Sequence, residues 1–260
     1  HIETLLANAE DKRRTQQQIL LTFSAVLKSA VSDKLLAANV ADDILRNTDR
    51  IKYKPSEKRP LTPAEKKAVF DATYKYDSDQ AYVYLIYGCG LRREECVALT
   101  IFDFNFKKRE VSVSKAYEYI TNTPGVKDPK SANGIRTIPI PSKILPVVQS
   151  YVESVKHSGR TQLFVTMRDK KPLTKSAYDK MWKRILESMQ AVCKEDIVGL
   201  TGHVFRHNYC SSLCYQIPRV SIKRIARLLG DTEAMVMNVY SHILAEREDV
   251  EGAVNDAINF

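Results

Sequence analysis

Three side chains with phosphate and nucleophile chemistry fall inside one stretch, Leu200 to Ile243, LTGHVFRHNYCSSLCYQIPRVSIKRIARLLGDTEAMVMNVYSHI. His203 and Arg206 stand three residues apart, so on a helix they share a face. Thr201 can cap that helix, which places both in its opening turns. There the partial positive charge and free N–H groups of the helix end suit a phosphate. An arginine fork matches phosphodiester oxygens and stays charged at any relevant pH. Tyr240 brings a phenol, which can act as a nucleophile and form a covalent intermediate. A phenol's ordinary pKa of about 10 is a handicap that nearby imidazole and guanidinium groups reduce. The elements that must position these groups are helices. One opens after Thr201, a second stops at Gly230, and a third leads to Tyr240.

The bulk numbers narrow the setting. At 260 residues the chain suffices for one large domain or two smaller ones, and 44% hydrophobic residues support a real core. A net charge of +9 makes nucleic acid the natural partner. The charge is uneven: from Ser241 to Phe260, Glu246, Glu248, Asp249, Glu251 and Asp256 face only Arg247. That tail suits a protein contact better than a DNA contact. Cys89, Cys96, Cys193, Cys210 and Cys214 are odd in number and form no Cys-x-x-Cys pair. They read as reduced core residues of a cytoplasmic protein. His207, Cys210 and Cys214 share a helical face but lack a paired partner elsewhere, so core packing is the preferred reading. No acidic cluster with Mg²⁺ spacing is evident, so metal-free chemistry without a cofactor is expected. No apolar run reaches membrane-spanning length and no signal peptide is visible.

In chain order, residues 1 to 48 read as helices, with Ile19, Leu20, Phe23, Val26, Leu27 and Ala30 at helical spacing. Residues 49 to 60, DRIKYKPSEKRP, form a basic link in which Arg50, Lys52, Lys54, Lys58 and Arg59 crowd together. Such a link can follow a DNA backbone, because each phosphate contact releases counterions. Thr62-Pro63-Ala64-Glu65 is a capping box with Pro at the first helical position, and a new domain spanning 61 to 260 opens there. An apolar helix from about Gln80 ends at Gly88, turns through Gly90, and a second helix begins near Arg92. From Ile101 the period changes to strands in DFNF, EVSVSKAYEYI and GIRTIPI, with Lys107-Lys108-Arg109 turning the first hairpin. Residues 143 to 158 and 174 to 192 return to amphipathic helix, the second with Trp182 in its apolar stripe. Lys180, Lys183 and Arg184 lie on its other faces, where they could meet phosphates. A further amphipathic helix is expected over about 245 to 260.

These pieces in this order resemble the signature of the tyrosine recombinases, the integrase family. Its His-x-x-Arg motif reads here as His203-Val-Phe-Arg206, its Leu-Gly-His or Leu-Gly-Trp motif as Leu229-Gly230-Asp231, and its tyrosine as Tyr240. Upstream, Gly90-Leu91-Arg92-x-x-Glu95 matches its Gly-Leu-Arg-x-x-Glu motif, with Arg92 in the place of the first catalytic arginine. Arg93 is the rival, but the register of Gly90-Leu91 favours Arg92. The family's hairpin lysine falls at Lys130, followed by Arg136-Thr-Ile138-Pro139, with Lys127 a weaker candidate. The resemblance implies a mainly α fold with a small antiparallel β-sheet (α+β). It also implies that residues 1 to 48 are the end of a helical core-binding domain, which the chain would enter partway.

The resemblance assigns roles as well. Tyr240 would attack a DNA phosphate and join a 3′ end, Arg92 and Arg206 would clamp that phosphate, and His203 would assist by proton transfer or a hydrogen bond. Lys130 would protonate the departing 5′ oxygen. Arg50, Lys52, Lys54, Lys58, Lys127 and Arg136 are the candidate DNA contacts. Double-stranded DNA at element ends and at a target site is the expected partner. A dimer to tetramer on DNA, with the tail helix docking on a neighbour, and accessory DNA-bending or directionality proteins complete the set. Asp231 departs from the pattern. A carboxylate cannot donate to a phosphate unless protonated, so two uses stay open: capping the helix that leads to Tyr240, or orienting His203 or an arginine. Two other functions share some of these signals. VSIKRIARLLGDTEAMVMNVY passes for the helix-turn-helix of a non-enzymatic regulator, which leaves Arg92, Lys130 and His203 without purpose. A type IB-like topoisomerase would use the same strand cleavage alone.

Overall fold

The computed structural model describes residues 2–39, 41–42, 59–127 and 134–245, with 249, 252, 254 and 258 of the tail. The chain divides into two units, His1–Glu57 and Lys58–Phe260. In the first, α1 (Ile2–Ala7) and α2 (Arg13–Ser32) are joined where Gln16 Nε2 donates to the Leu6 carbonyl at 2.9 Å. Buried Ser24 donates to Asp42 Oδ1 at 3.0 Å, fixing the turn after α2.

The second unit opens at α3 (Pro63–Asp71). Thr62 Oγ1 accepts the Glu65 N–H at 3.1 Å, and Glu65 Oε2 accepts the Thr62 N–H at 2.9 Å. The same carboxylate takes both Nη groups of Arg59 at 2.6 Å, so this linker arginine folds back onto α3. The central helix, α4 (Asp77–Cys89), buries Ala81, Tyr82, Val83, Tyr84, Leu85 and Ile86 in succession. A helix buried all round has no polar stripe, which is why its periodicity is faint. It begins three residues before the expected Gln80, because Asp77 and Asp79 occupy the positive first turn without an apolar marker. Gly90 ends it in the left-handed region at φ +60°. A Cβ there would overlap the Tyr209 ring. Gly90→Ala should therefore destabilise the unit by about 3 kcal/mol, combining left-handed strain with overpacking. A thermal melt should show a loss of roughly 10 °C.

After α5 (Arg93–Val97) come β1 (Phe104–Asn105), β2 (Glu110–Val113), β3 (Ala116–Glu118), β4 (Gly125–Lys127) and β5 (Arg136–Pro139). They make two antiparallel sheets, one of order β1-β2-β5 and one of β3-β4. EVSVSKAYEYI therefore does not run as one strand. It breaks between Val113 and Ala116 and serves both sheets. Then follow α6 (Leu145–His157), α7 (Lys175–Gln190), α8 (Gly202–Cys214), α9 (Ile222–Leu229) and α10 (Glu233–Ala245). Arg184 of α7 reaches inward rather than to solvent, binding buried Asp79 at 3.1 and 3.0 Å. Trp182 sits at the core's edge and donates Nε1–H to the Leu200 carbonyl at 3.2 Å. A second, smaller core gathers Cys210 and Cys214 of α8 with Ile225 and Leu229 of α9 and Val236 and Ile243 of α10. Among the described residues no helix is long and apolar enough to cross a membrane.

Candidate active site

The site assembles where α5, α8 and the turn between α9 and α10 meet. Arg92 stands at the N-cap of α5 and Arg206 in the second turn of α8. They are 138 residues of loop, sheet and helix away from the shared segment in one case and 23 in the other, yet both reach it. Arg92 Nη2 donates to the Gly230 carbonyl at 3.0 Å and to Asp231 Oδ2 at 3.2 Å. Arg206 Nη2 donates to the Leu229 carbonyl at 2.6 Å and to the same Asp231 Oδ2 at 3.2 Å. Arg206 Nη1 is held by the Gly90 carbonyl at 2.9 Å. Two guanidinium groups from distant elements thus meet at one oxygen.

Of the two uses open to Asp231, the structure shows the arginine contact. Capping of α10 falls to Thr232, whose Oγ1 accepts the Met235 N–H at 3.3 Å. Thr201 stands at the N-cap of α8, but its side chain makes no capping bond. Its residue lines a cavity of about 360 Å³ together with Arg92, Arg93, Gly202, His203 and Arg206. The cavity therefore lies at the N-terminal end of α8, which favours an anion, and Glu94 and Asp179 also line it.

Arg206 is almost fully buried. Burial pulls its guanidinium down to about 10, and the neighbouring charge of Arg92 adds to that fall, against Glu95 and Asp231. An arginine does not lose its proton at working pH. The shift instead marks a cation that is incompletely neutralised, and an oxyanion in the cavity would offset it.

Glu95, at the third position of α5's capping box, closes the motif but has no role assigned from sequence. Its Oε1 accepts Arg92 Nη1 at 2.9 Å and Arg136 Nη1 at 3.0 Å. Its Oε2 accepts the Arg92 N–H at 2.8 Å and Arg136 Nη2 at 2.7 Å. The final position of Gly-Leu-Arg-x-x-Glu was the available signal, since a Glu there reaches back to the residue three before it. Arg136 requires a correction. It was expected to contact DNA, yet it is buried, paired with Glu95, and donates Nε–H to the Leu228 carbonyl at 2.9 Å. Strand alternation puts it on the inward face with Ile138.

Burial would raise the Glu95 carboxyl, but the Arg136 fork and charge, the Arg92 N–H and the Arg206 charge bring it down to about 2. Its folded value lies below the ordinary 4.5, so its contribution is fully present above about pH 4.5 and is lost as pH falls toward 2. That contribution is of order 3 kcal/mol. Denaturant midpoints taken between pH 7 and pH 2.5 should show wild type converging on Glu95→Gln as pH falls. A gap that stays constant over that window would show that the carboxylate is not held down.

The remaining candidates are placed as follows. Lys127 ends β4 and pairs with Glu118. It lines a groove of about 660 Å³ with Arg92, Arg93, Lys115 and Lys175. Lys115, which sequence reading passed over, pairs there with Asp103 at 3.5 Å. Lys130, Arg50, Lys52, Lys54 and Lys58 lie outside the described residues; Lys127 and Gly134, which precede and follow residues 128–133 in sequence, both line the groove. Tyr240 is half-buried on α10 against the second core and does not line the cavity of the arginines. Val239, its neighbour, lines a cavity of about 60 Å³ with His203, Arg206 and Asp231. Of the tail, Gly252, Val254 and Ile258 are helical.

The model of the phage integrase family matches residues 59–247. Tyrosine recombinase XerA of Pyrococcus furiosus is 29% identical, over 85% of this chain and 69% of its own length. The ICEBs1 integrase of Bacillus subtilis is 24% identical, over 95% of this chain and 65% of its own. A XerC-like tyrosine recombinase of Caldanaerobacter subterraneus is 24% identical over 65% of this chain, and the match spans only 46% of that protein. Among solved structures, the Tn1549 transposon integrase in complex with a circular intermediate DNA superposes with a TM-score of 0.75 at 21% identity. That match covers 95% of this chain and 84% of that one.

Proposed function

This chain belongs to the phage integrase family of tyrosine recombinases, and from that premise we propose that it cleaves and rejoins DNA through a 3′-phosphotyrosyl intermediate, integrating or excising a mobile element. The observation that carries the reading is the convergence of Arg92 and Arg206 on one carboxylate oxygen beside the open end of α8. Two guanidinium forks fixed side by side at the N-terminal end of a helix are what a phosphoryl-transfer transition state needs, since its charge spreads over the non-bridging oxygens.

In this mechanism the Tyr240 oxygen attacks the scissile phosphorus and displaces the 5′ oxygen, which leaves as a hydroxyl after taking a proton from Lys130. His203, on the cavity wall with Arg206, hydrogen-bonds the phosphate or moves the tyrosine's proton. The phosphotyrosyl bond replaces the phosphodiester, so no external energy source is required. A 5′ hydroxyl from a partner duplex then attacks that bond and frees Tyr240. Residues 1–48 serve as the C-terminal part of a helical core-binding domain, residues 49–60 as a basic link along the DNA backbone, and residues from 61 on as the catalytic domain. Copies assemble on DNA as dimer to tetramer in the cytoplasm, linked by the acidic tail. The integrases of ICEBs1 and Tn1549 act for mobile elements by name, which supports the same role here.

The test is to incubate the full chain with duplexes carrying a nick near randomised sites, in the presence of a chelator. An SDS-resistant, protease-sensitive adduct on the 3′ end, with release of a 5′ hydroxyl, is the expected product. DNA retardation without any adduct would leave a regulator, and relaxation of a plasmid lacking a selected site would indicate a topoisomerase.

A further inference from the structure

The Leu229-Gly230-Asp231 turn does more for the arginines than separate two helices. It offers three consecutive acceptors: the Leu229 carbonyl to Arg206, the Gly230 carbonyl to Arg92, and Asp231 Oδ2 to both. The turn is itself fixed. Gly230 adopts φ +62°, the Asp231 N–H donates to the Ala226 carbonyl at 3.0 Å, and Asp231 Oδ1 accepts the Thr232 N–H at 3.1 Å. A guanidinium has five N–H donors in a rigid fork. Among the described residues, both Nη2 hydrogens of Arg92 and of Arg206 are taken by this turn, while Nη1 of each holds one further acceptor. That leaves the Nε–H and one Nη1–H of each arginine, four donors in all, without a partner among the described residues.

We propose that Asp231 is a positioning residue that stays in place during the reaction, bracing the Nη2 edges of Arg92 and Arg206 so that their other edges face the scissile phosphate. This rests on the reading that these arginines hold that phosphate. The opposite possibility is that Asp231 occupies the phosphate's own position and is displaced. The two carbonyls speak against it, because they draw the same Nη2 groups toward the turn and a phosphate cannot replace them. The brace also joins the clamp to the nucleophile's helix: Thr232, next to Asp231, caps α10, which carries Tyr240.

The experiment compares wild type, Asp231→Asn and Asp231→Ala as full chains. Equilibrium binding and single-turnover adduct formation are measured on the same nicked duplex. A brace predicts binding unchanged within about twofold, with adduct formation about 100-fold slower in Asp231→Ala, the scale of a misplaced catalytic group. Asp231→Asn, which keeps one acceptor, should fall between. Added formate should restore part of the Asp231→Ala rate and leave wild type unaffected. Tighter binding with an undiminished rate in either variant would overturn the brace and make Asp231 a displaced occupant. Equal loss of binding and rate without rescue by formate would overturn it in favour of a purely structural role. Arginine side-chain ¹⁵N spectra separate this from the function itself. In Asp231→Ala the one Nη2 hydrogen of each arginine that Asp231 Oδ2 accepts should exchange fast while those held by the carbonyls stay slow, even if wild type forms no adduct; unchanged signals would overturn the brace.

Discussion

Tyr240→Phe should abolish the covalent protein–DNA adduct while leaving the fold and DNA affinity as they are. The ring packs half-buried against the second core, and phenylalanine keeps that packing. Removing one hydroxyl from a half-exposed site changes stability by no more than about 0.5 kcal/mol. The proposed chemistry, by contrast, loses its nucleophile. Loss of a nucleophile costs factors of roughly 10⁴ to 10⁶. No adduct should be visible on a denaturing gel after reaction times at which wild type is complete. An adduct of normal yield would move the nucleophile to another residue. The tyrosine does not line the arginine cavity in the isolated chain, so delivery is a second question. Mixing Tyr240→Phe with a variant disabled in the clamp answers it: an adduct on the disabled protein means delivery to a neighbour's site.

Arg206→Lys should lower adduct formation by about 10³-fold or more, in the range set by arginines that stabilise phosphoryl-transfer transition states. Lysine keeps the charge but not the planar fork. Here the fork's geometry matters because Nη1 and Nη2 are bound to the Gly90 and Leu229 carbonyls, which come from different parts of the chain. An ammonium group cannot hold both and still face the cavity in a fixed orientation. Some stability will be lost, since a buried carbonyl left without a donor costs about 1–3 kcal/mol. A melting curve run beside the kinetics separates the two effects. A variant that melts normally and cleaves within tenfold of wild type would remove Arg206 from the clamp.

Much of the fold could be read in the sequence wherever a cap or glycine has one physical meaning. The Thr62–Glu65 box, Gly90 as a helix stop and Gly230 between α9 and α10 are such cases. Reading failed where polar groups turn inward. Arg136 and Arg184 resemble surface cations by type, and only their buried carboxylate partners, Glu95 and Asp79, reveal otherwise. The role of Glu95 is not legible in the motif, because the carboxylate's partners lie 41 residues away on β5 as well as three before it. The split of residues 110 to 118 between two sheets has no local marker, because alternation continues through the break. Asp231 was undecidable in sequence: its choice between cap and arginine depends on α5 and α8 arriving at the same turn.

Three of the contacts that hold the two arginines are made by the main chain, at Gly90, Leu229 and Gly230. An amide oxygen is present whatever side chain the codon specifies. The clamp is therefore insulated from most side-chain drift at those positions and exposed to anything that rotates a peptide plane there. Its tolerance to mutation should follow torsion angles rather than residue chemistry, with the two left-handed glycines as its narrowest points.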